Sequence, residues 1–187
     1  GPAAQDTLRQ YNAVYIGNTQ EKVLYLTFDA GYENGNVEKI VDVLRSEGVP
    51  AAFFVLENFI TQNKPLVKRM IEEGHLVCNH TSKHLDVTKC KSIDEFRGEL
   101  ERLESVYRDA TGMEMPKYFR PPEGKFSRQS MEFASKLGYK TIFWSFAYAD
   151  WDNAAQPSLS VAKEKILSNA HNGEIMLLHP TSATNAA

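Results

Sequence analysis

His80 and His84 stand four residues apart in the stretch NHTSKH, in a chain of 187 residues that has only five histidines. Neutral imidazoles are common metal ligands, but an H-x-x-x-H pair needs a third donor to make a usual zinc site, and many such pairs bind nothing. Asp29, Arg120, Asp150 and His179 are the other groups whose types suit acid–base or metal chemistry. Each has a plain explanation when taken singly. Asp29 lies two residues from Gly31 and suits a turn. Arg120 before Pro121 and Pro122 suits a surface ion pair. His179 follows an apolar run and suits a satisfied core histidine. Asp150 and Trp151 suit loop punctuation in which the tryptophan is buried.

The elements that must position these groups alter that balance. Apolar runs rich in strand formers lie at 23–29 (VLYLTFD), 51–56 (AAFFVL), 75–80 (HLVCNH), 117–120 (KYFR), 141–146 (TIFWSF) and 174–179 (EIMLLH). Helical patterns separate them. Val37, Ile40, Val41 and Leu44 share one face of 36–48, and Gly48 stops that helix. The segment 64–74 has Pro65 in its first turn and Gly74 at its end. The longest helix spans 92–112, with Ser92 and Glu95 as a capping box and a stripe of Ile93, Phe96, Leu100, Leu103 and Tyr107. Further helices are read near 127–138 and over 158–171, the latter with Leu159, Ala162, Ile166 and Ala170 inward.

Alternating strands and helices imply an α/β domain of six or seven parallel strands with helical crossovers, in a barrel-like or an open sheet. No repeat, linker or low-complexity tract divides residues 1–187, so a single domain is expected. Asp29, the His80/His84 pair, Arg120, Asp150 and His179 then follow five different strands. Parallel α/β folds build their sites at the C-terminal ends of strands. One or two polar groups on that rim would be unremarkable; five are not.

Composition excludes several classes. Apolar residues make up 42% and charged residues 24%, as in a globular domain with a real core. A net charge of -3 gives no basic footprint for nucleic acid or for a polyanionic membrane surface. No apolar run has the length of a membrane span. The opening GPAAQD reads as a protease scar, and 1–12 as that scar plus an N-terminal extension, so the lack of a signal peptide says little about compartment. Cys78 and Cys90 are read as free thiols, because two cysteines make no disulfide framework.

In order along the chain, TFDAG (27–31), HTSKH (80–84), RPPEG (120–124), ADW (149–151) and LLH (177–179) resemble the five motifs of the polysaccharide deacetylase family, carbohydrate esterase family 4. The resemblance spans 23–181. It implies a distorted (β/α) barrel and hydrolysis of an N-acetyl group on an amino sugar. The stretches FDAGYENG, FRPPEGKFS and SFAYADWD resemble the branch that acts on muramic acid in peptidoglycan and serves δ-lactam formation in the spore cortex.

The roles implied by the resemblance follow residue by residue. Asp29 matches the general base, and His80 and His84 match the ligands of a divalent metal, with zinc expected. The backbone N–H of Glu123 matches an oxyanion donor. His179 matches the acid that protonates the leaving amine, with Asp150 raising its pKa and Arg120 keeping Asp29 ionised. Trp151 and Leu177 would wall the acetyl pocket, and Tyr32 would be a further substrate contact. Peptidoglycan strands would be the partner, the protein a monomer, and its location extracytoplasmic, in the cell envelope or spore.

The sequence departs from the family pattern in two places. Ala30 stands where the family usually has a second, metal-binding aspartate. Metal would then bind weakly, or a third ligand would come from Asn79, Glu33 or Asn34, or the site would work with little metal or not at all. The sequence also ends eight residues past His179, where the family normally adds a helix and a strand. The resemblance therefore implies a barrel lacking its last unit. The alternatives are an N-acetylglucosamine or chitin-type deacetylase, and a glycan-binding pseudoenzyme disarmed by Ala30.

Overall fold

The computed structural model describes the backbone of residues 2–187 and the side chains from Ala4 onward. Gly1, the first residue of the scar read at GPAAQD, lies outside the described residues. Residues 2–9 form helix α1 (Pro2–Arg9). Beyond it, Leu8 and Tyr11 pack against a cluster of Ala13, Met131 and Phe143.

Eight parallel strands form one sheet: β1 (Ala13–Val14), β2 (Tyr25–Ala30), β3 (Ala52–Val55), β4 (Leu76–Asn79), β5 (Tyr118–Phe119), β6 (Lys140–Ile142), β7 (Phe146–Ala147) and β8 (Ile175–Leu178). Their order is β1-β6-β5-β4-β3-β2-β8-β7. The run read as one strand over 141–146 is therefore two strands near opposite margins of the sheet. That break makes the barrel. Laid flat, β6 and β7 would be six strand spacings apart, about 29 Å. Ile142 and Phe146 are four residues apart, which an extended chain spans in at most about 14 Å. The sheet must curl until its margins approach.

The helices cover the outside. α2 (Asn36–Glu47) buries Val37, Ile40, Val41 and Leu44, and Gly48 ends it at φ 65°, where a side chain would be strained. α3 (Glu57–Gln62) is too short for a periodicity to show, and α4 (Lys64–Glu72) follows it. α5 (Ile93–Thr111) buries Phe96, Leu100, Leu103 and Tyr107. Its cap is shifted from the expected box. Ser92 accepts from the Glu95 N–H, but the Glu95 carboxylate accepts from Lys91 N–H at 2.7 Å rather than from Ser92. A true capping box opens α6 (Arg128–Lys136), from Ser127 and Ser130.

α7 (Leu159–Ser168) departs most from expectation. Only Ala162 is buried and Ile166 packs partly on the core, while Leu159 and Ala170 are exposed. Leu159 is the first residue of the helix and Ala170 lies past its last, so neither reaches the layer beneath. The chain closes with α8 (Ala183–Ala186). Both cysteines are free and buried, and burial pushes the Cys78 thiol up to about 12.

Candidate active site

The rim read from the sequence is present. Asp29 is the penultimate residue of β2, His80 follows β4, Arg120 follows β5, and His179 follows β8. Asp150 comes from the loop after β7. A cavity of about 740 Å³ opens there, within the range of small-ligand sites. Asp29, His80, His84, Glu123, Trp151, Leu177 and His179 line it. Arg120 and Asp150 lie behind the wall, and Tyr32 is exposed outside the lining.

Arg120 is not a surface ion-pair residue; it is fully buried. Its Nη1 donates to Asp29 Oδ1 at 2.9 Å, its Nε to the Ile142 carbonyl and its Nη2 to the Phe143 carbonyl. The guanidinium also lies 4.4 Å from the centre of the Phe54 ring. Burial pushes the Asp29 pKa up, but His80 and Arg120 outweigh it, and the carboxyl is held below its ordinary 3.8. His80 is itself kept neutral by burial. Near neutral pH, then, the fixed charge of Arg120 keeps Asp29 ionised. Replacing Arg120 by Met should lower stability by about 3–5 kcal/mol in chemical denaturation, because Asp29 is left as an unpaired, mostly buried charge. A loss near zero would mean that water solvates Asp29 well enough to stand in for the guanidinium.

His80 Nδ1 lies 2.7 Å from the Arg120 carbonyl, so Nδ1 carries the proton. Nε2 then presents its lone pair 3.6 Å from Asp29 Oδ2. Metal-ligating histidines are usually oriented in this way. The His84 ring centre is 5.3 Å from that of His80. The turn that brings it there is strained: Thr81 and His84 have φ of 69° and 58°, in the left-handed region. Such residues cost about 1–3 kcal/mol each and persist only where neighbours enforce them. Asn79 Oδ1 accepts from Thr81 N–H, and Thr81 Oγ1 accepts from Leu85 N–H.

The third ligand does not come from the residues expected to supply it. Glu33 caps α2, accepting from the N–H groups of Gly35, Val37 and Glu38. Asn34 donates to the Thr181 carbonyl, and Asn79 to the Leu100 carbonyl. Ala30 is fully buried in the main core and does not line the cavity, although Asp29 and Gly31 beside it do. Among the described residues no three His, Cys, Asp or Glu groups are gathered to hold a metal. Two imidazoles suit a borderline cation whose shell solvent or substrate completes; they do not make a three-ligand site.

Across the cavity, His179 Nδ1 is 2.7 Å from Asp150 Oδ1, and its backbone N–H donates to Oδ2 at 2.8 Å. Burial pulls the His179 pKa down, but the hydrogen bond and charge of Asp150 outweigh it and raise the pKa above 6.5. Glu123 adopts φ 57°, and its side chain turns outward to Lys125 Nζ at 2.8 Å. Sequence reading missed several cavity residues: Leu56, Lys125, Trp144 and Tyr148. Trp144 lies inside the strand break and Tyr148 just past β7, and reading 141–146 as one strand hid their placement. Asn185, which donates to Asp150, carried no sequence signal at all.

A family model described as polysaccharide deacetylase matches residues 16–142. Peptidoglycan-N-acetylmuramic acid deacetylase PdaA of Bacillus subtilis is 42% identical over 187 residues, covering all of this chain and 70% of that protein. Its solved structure, described as a family 4 carbohydrate esterase, matches with a TM-score of 0.93 at 40% identity, over 100% of this chain and 79% of that one. A family 4 carbohydrate esterase from Bacillus anthracis matches with a TM-score of 0.83 at 38% identity, over 100% and 81%. A family 4 pseudoenzyme from Bacillus anthracis also matches, with a TM-score of 0.83 at 26% identity, over 93% and 60%. With the motifs on one rim and the family matched over most of its length, this chain belongs to the polysaccharide deacetylase family.

Proposed function

We propose that this chain hydrolyses the N-acetyl group of muramic acid residues in peptidoglycan glycan strands. The carrying observation is the opposed pair in one cavity. Arg120 favours the ionised form of Asp29, and Asp150 favours the protonated form of His179. Asp29 Oδ2, the oxygen not bonded to Arg120, takes a proton from water as the water oxygen bonds to the acetyl carbon. The C–N bond breaks as His179 Nε2 gives its proton to the amine nitrogen, because Nδ1 is committed to Asp150. Acetate and a free amine leave, and exchange with solvent returns both groups to their starting states. The Glu123 N–H is assigned to the developing oxyanion. His80 and His84 would hold a divalent cation, which when bound polarises the carbonyl and acidifies water.

The preference for muramic acid is supported by the 42% identity to a protein named for that substrate. Relatives named for N-acetylglucosamine are 28% to 34% identical. Among the described residues no helix is long and apolar enough to cross a membrane. The substrate places the work outside the cytoplasmic membrane, in the envelope or spore. The pseudoenzyme reading has its own observation, the missing third ligand. A pure binder, however, has no use for a base and an acid facing each other.

Glycan fragments without stem peptides, incubated with chelator or with added zinc, test this by mass spectrometry. Loss of one acetyl group from muramic acid is expected, and faster with zinc. Loss from glucosamine alone would replace the substrate. No acetyl loss in any condition, with the glycan still bound, would establish the pseudoenzyme.

A further inference from the structure

Asp150 belongs to the acid pair, but what fixes Asp150 lies outside the motifs. Its side chain is fully buried. Asn185, on α8, reaches it from the end of the chain: Nδ2 donates to Asp150 Oδ2 at 2.8 Å and to the His179 carbonyl at 3.0 Å. Both protons of that amide are used. Its Oδ1 accepts from the Tyr148 hydroxyl. The amide has only one workable orientation. Flipped, its oxygen would face a carboxylate and a carbonyl, both acceptors. The Tyr148 hydroxyl must then donate, so its proton also has one position. Tyr148 stays neutral, because burial and the Asp150 charge push it up to about 12.

We propose that Asn185, oriented by the Tyr148 hydroxyl, is a positioning residue for the acid, holding Asp150 so that both carboxylate oxygens stay on His179. This rests on the deacetylase reading for its kinetic part only. Neither Asn185 nor Asp150 lines the cavity, so their effect on substrate must pass through His179. The charged and titratable groups facing His179 are Asp150 from the loop after β7, Asp29 from β2 and Arg120 after β5, with Tyr148 facing Asp150. Removing the amide loses one donor to Asp150, which by itself would strengthen its pull on His179. It also admits water, which replaces that donor, screens the pair and frees the carboxylate to turn. A water donor roughly matches the lost amide, so screening and rotation decide the sign. His179 should therefore become easier to deprotonate.

The test is an NMR titration of the His179 ring in the whole chain, for the parent, Asn185→Ala, Tyr148→Phe and the double variant, with kcat and KM measured across pH. The expected midpoint of His179 falls toward about 6.5 in Asn185→Ala and falls less in Tyr148→Phe. The double variant should match Asn185→Ala alone, since the hydroxyl acts through the amide. In Asn185→Ala, kcat should drop by about tenfold on the alkaline side, with KM nearly unchanged. An unmoved His179 midpoint in both single variants would overturn the proposal, as would additive shifts in the double variant. If Asn185→Ala does not fold, Tyr148→Phe still decides by its midpoint. An inactive parent would sink the deacetylase reading, yet the titration would still report on Asn185.

Discussion

Asp29→Asn should lower deacetylation by about 10²–10⁴-fold, the range a positioned general base contributes. The substitution keeps shape and removes charge. Asn can still accept from Arg120 Nη1 at the position of Oδ1, so the geometry at the end of β2 survives. It cannot take a proton from water. It does leave the buried Arg120 guanidinium without its counter-charge, relieved by the Ile142 and Phe143 carbonyls and the faces of Phe54 and Trp144. A stability loss of about 1–3 kcal/mol is therefore expected alongside the loss of activity. Assays must be run well below the lowered unfolding midpoint. Glycan affinity should stay within a few-fold, since other groups wall the cavity. If Asp29→Asn keeps a tenth or more of parental turnover on glycan, the base lies elsewhere.

How much of this was legible without coordinates depends on what kind of signal each element carries. The strands buried on both faces announce themselves, because AFFV and IMLL have nothing polar to spare. β2 also carries Asp29, which suits a turn when taken singly and reads as part of a rim only beside the groups that follow the other strands. Of the two-residue strands, β5 is legible inside the run 117–120, whereas β1 carries too few residues for a pattern and Phe146 of β7 merges with the run before it. The barrel closure was lost with it. Taken singly, Arg120 suits a surface ion pair because arginine usually makes one; the resemblance puts it beside Asp29, and the Ile142 and Phe143 carbonyls at the end of the neighbouring strand β6 show how it can be buried there. The third-ligand candidates were chosen by nearness in sequence. Each of them instead had a local backbone group to satisfy, as short polar side chains in turns commonly do. Asn185 lies in a segment of small and polar residues whose role exists only once α8 folds back over Asp150.

His179→Ala should separate acid from base, because the two groups meet different demands of the reaction. Amide hydrolysis needs the departing nitrogen protonated, and loss of the acid should lower kcat on glycan by about 10²–10⁴-fold. An activated acetyl ester has a leaving group that departs as a stable anion. On that substrate His179→Ala should lose less than about tenfold, whereas Asp29→Asn should lose nearly as much as on glycan, since water must still be deprotonated. Equal losses on both substrates for His179→Ala would assign it to binding or to the oxyanion instead. The pH dependence adds an independent constraint. Turnover requires Asp29 ionised, with its pKa below 3.8, and His179 protonated, with its pKa above 6.5. The active window should span both values, and Asp150→Asn should pull in its alkaline edge alone. The same coupling acts on stability. A histidine whose folded pKa is raised stabilises the fold fully below about pH 6.5, and that contribution is lost as pH rises through the folded value. Asp150→Asn should therefore destabilise the protein more at pH 5 than at pH 9, as read by denaturant melts; equal losses at the two pH values would mean that His179 is neutral in the folded chain.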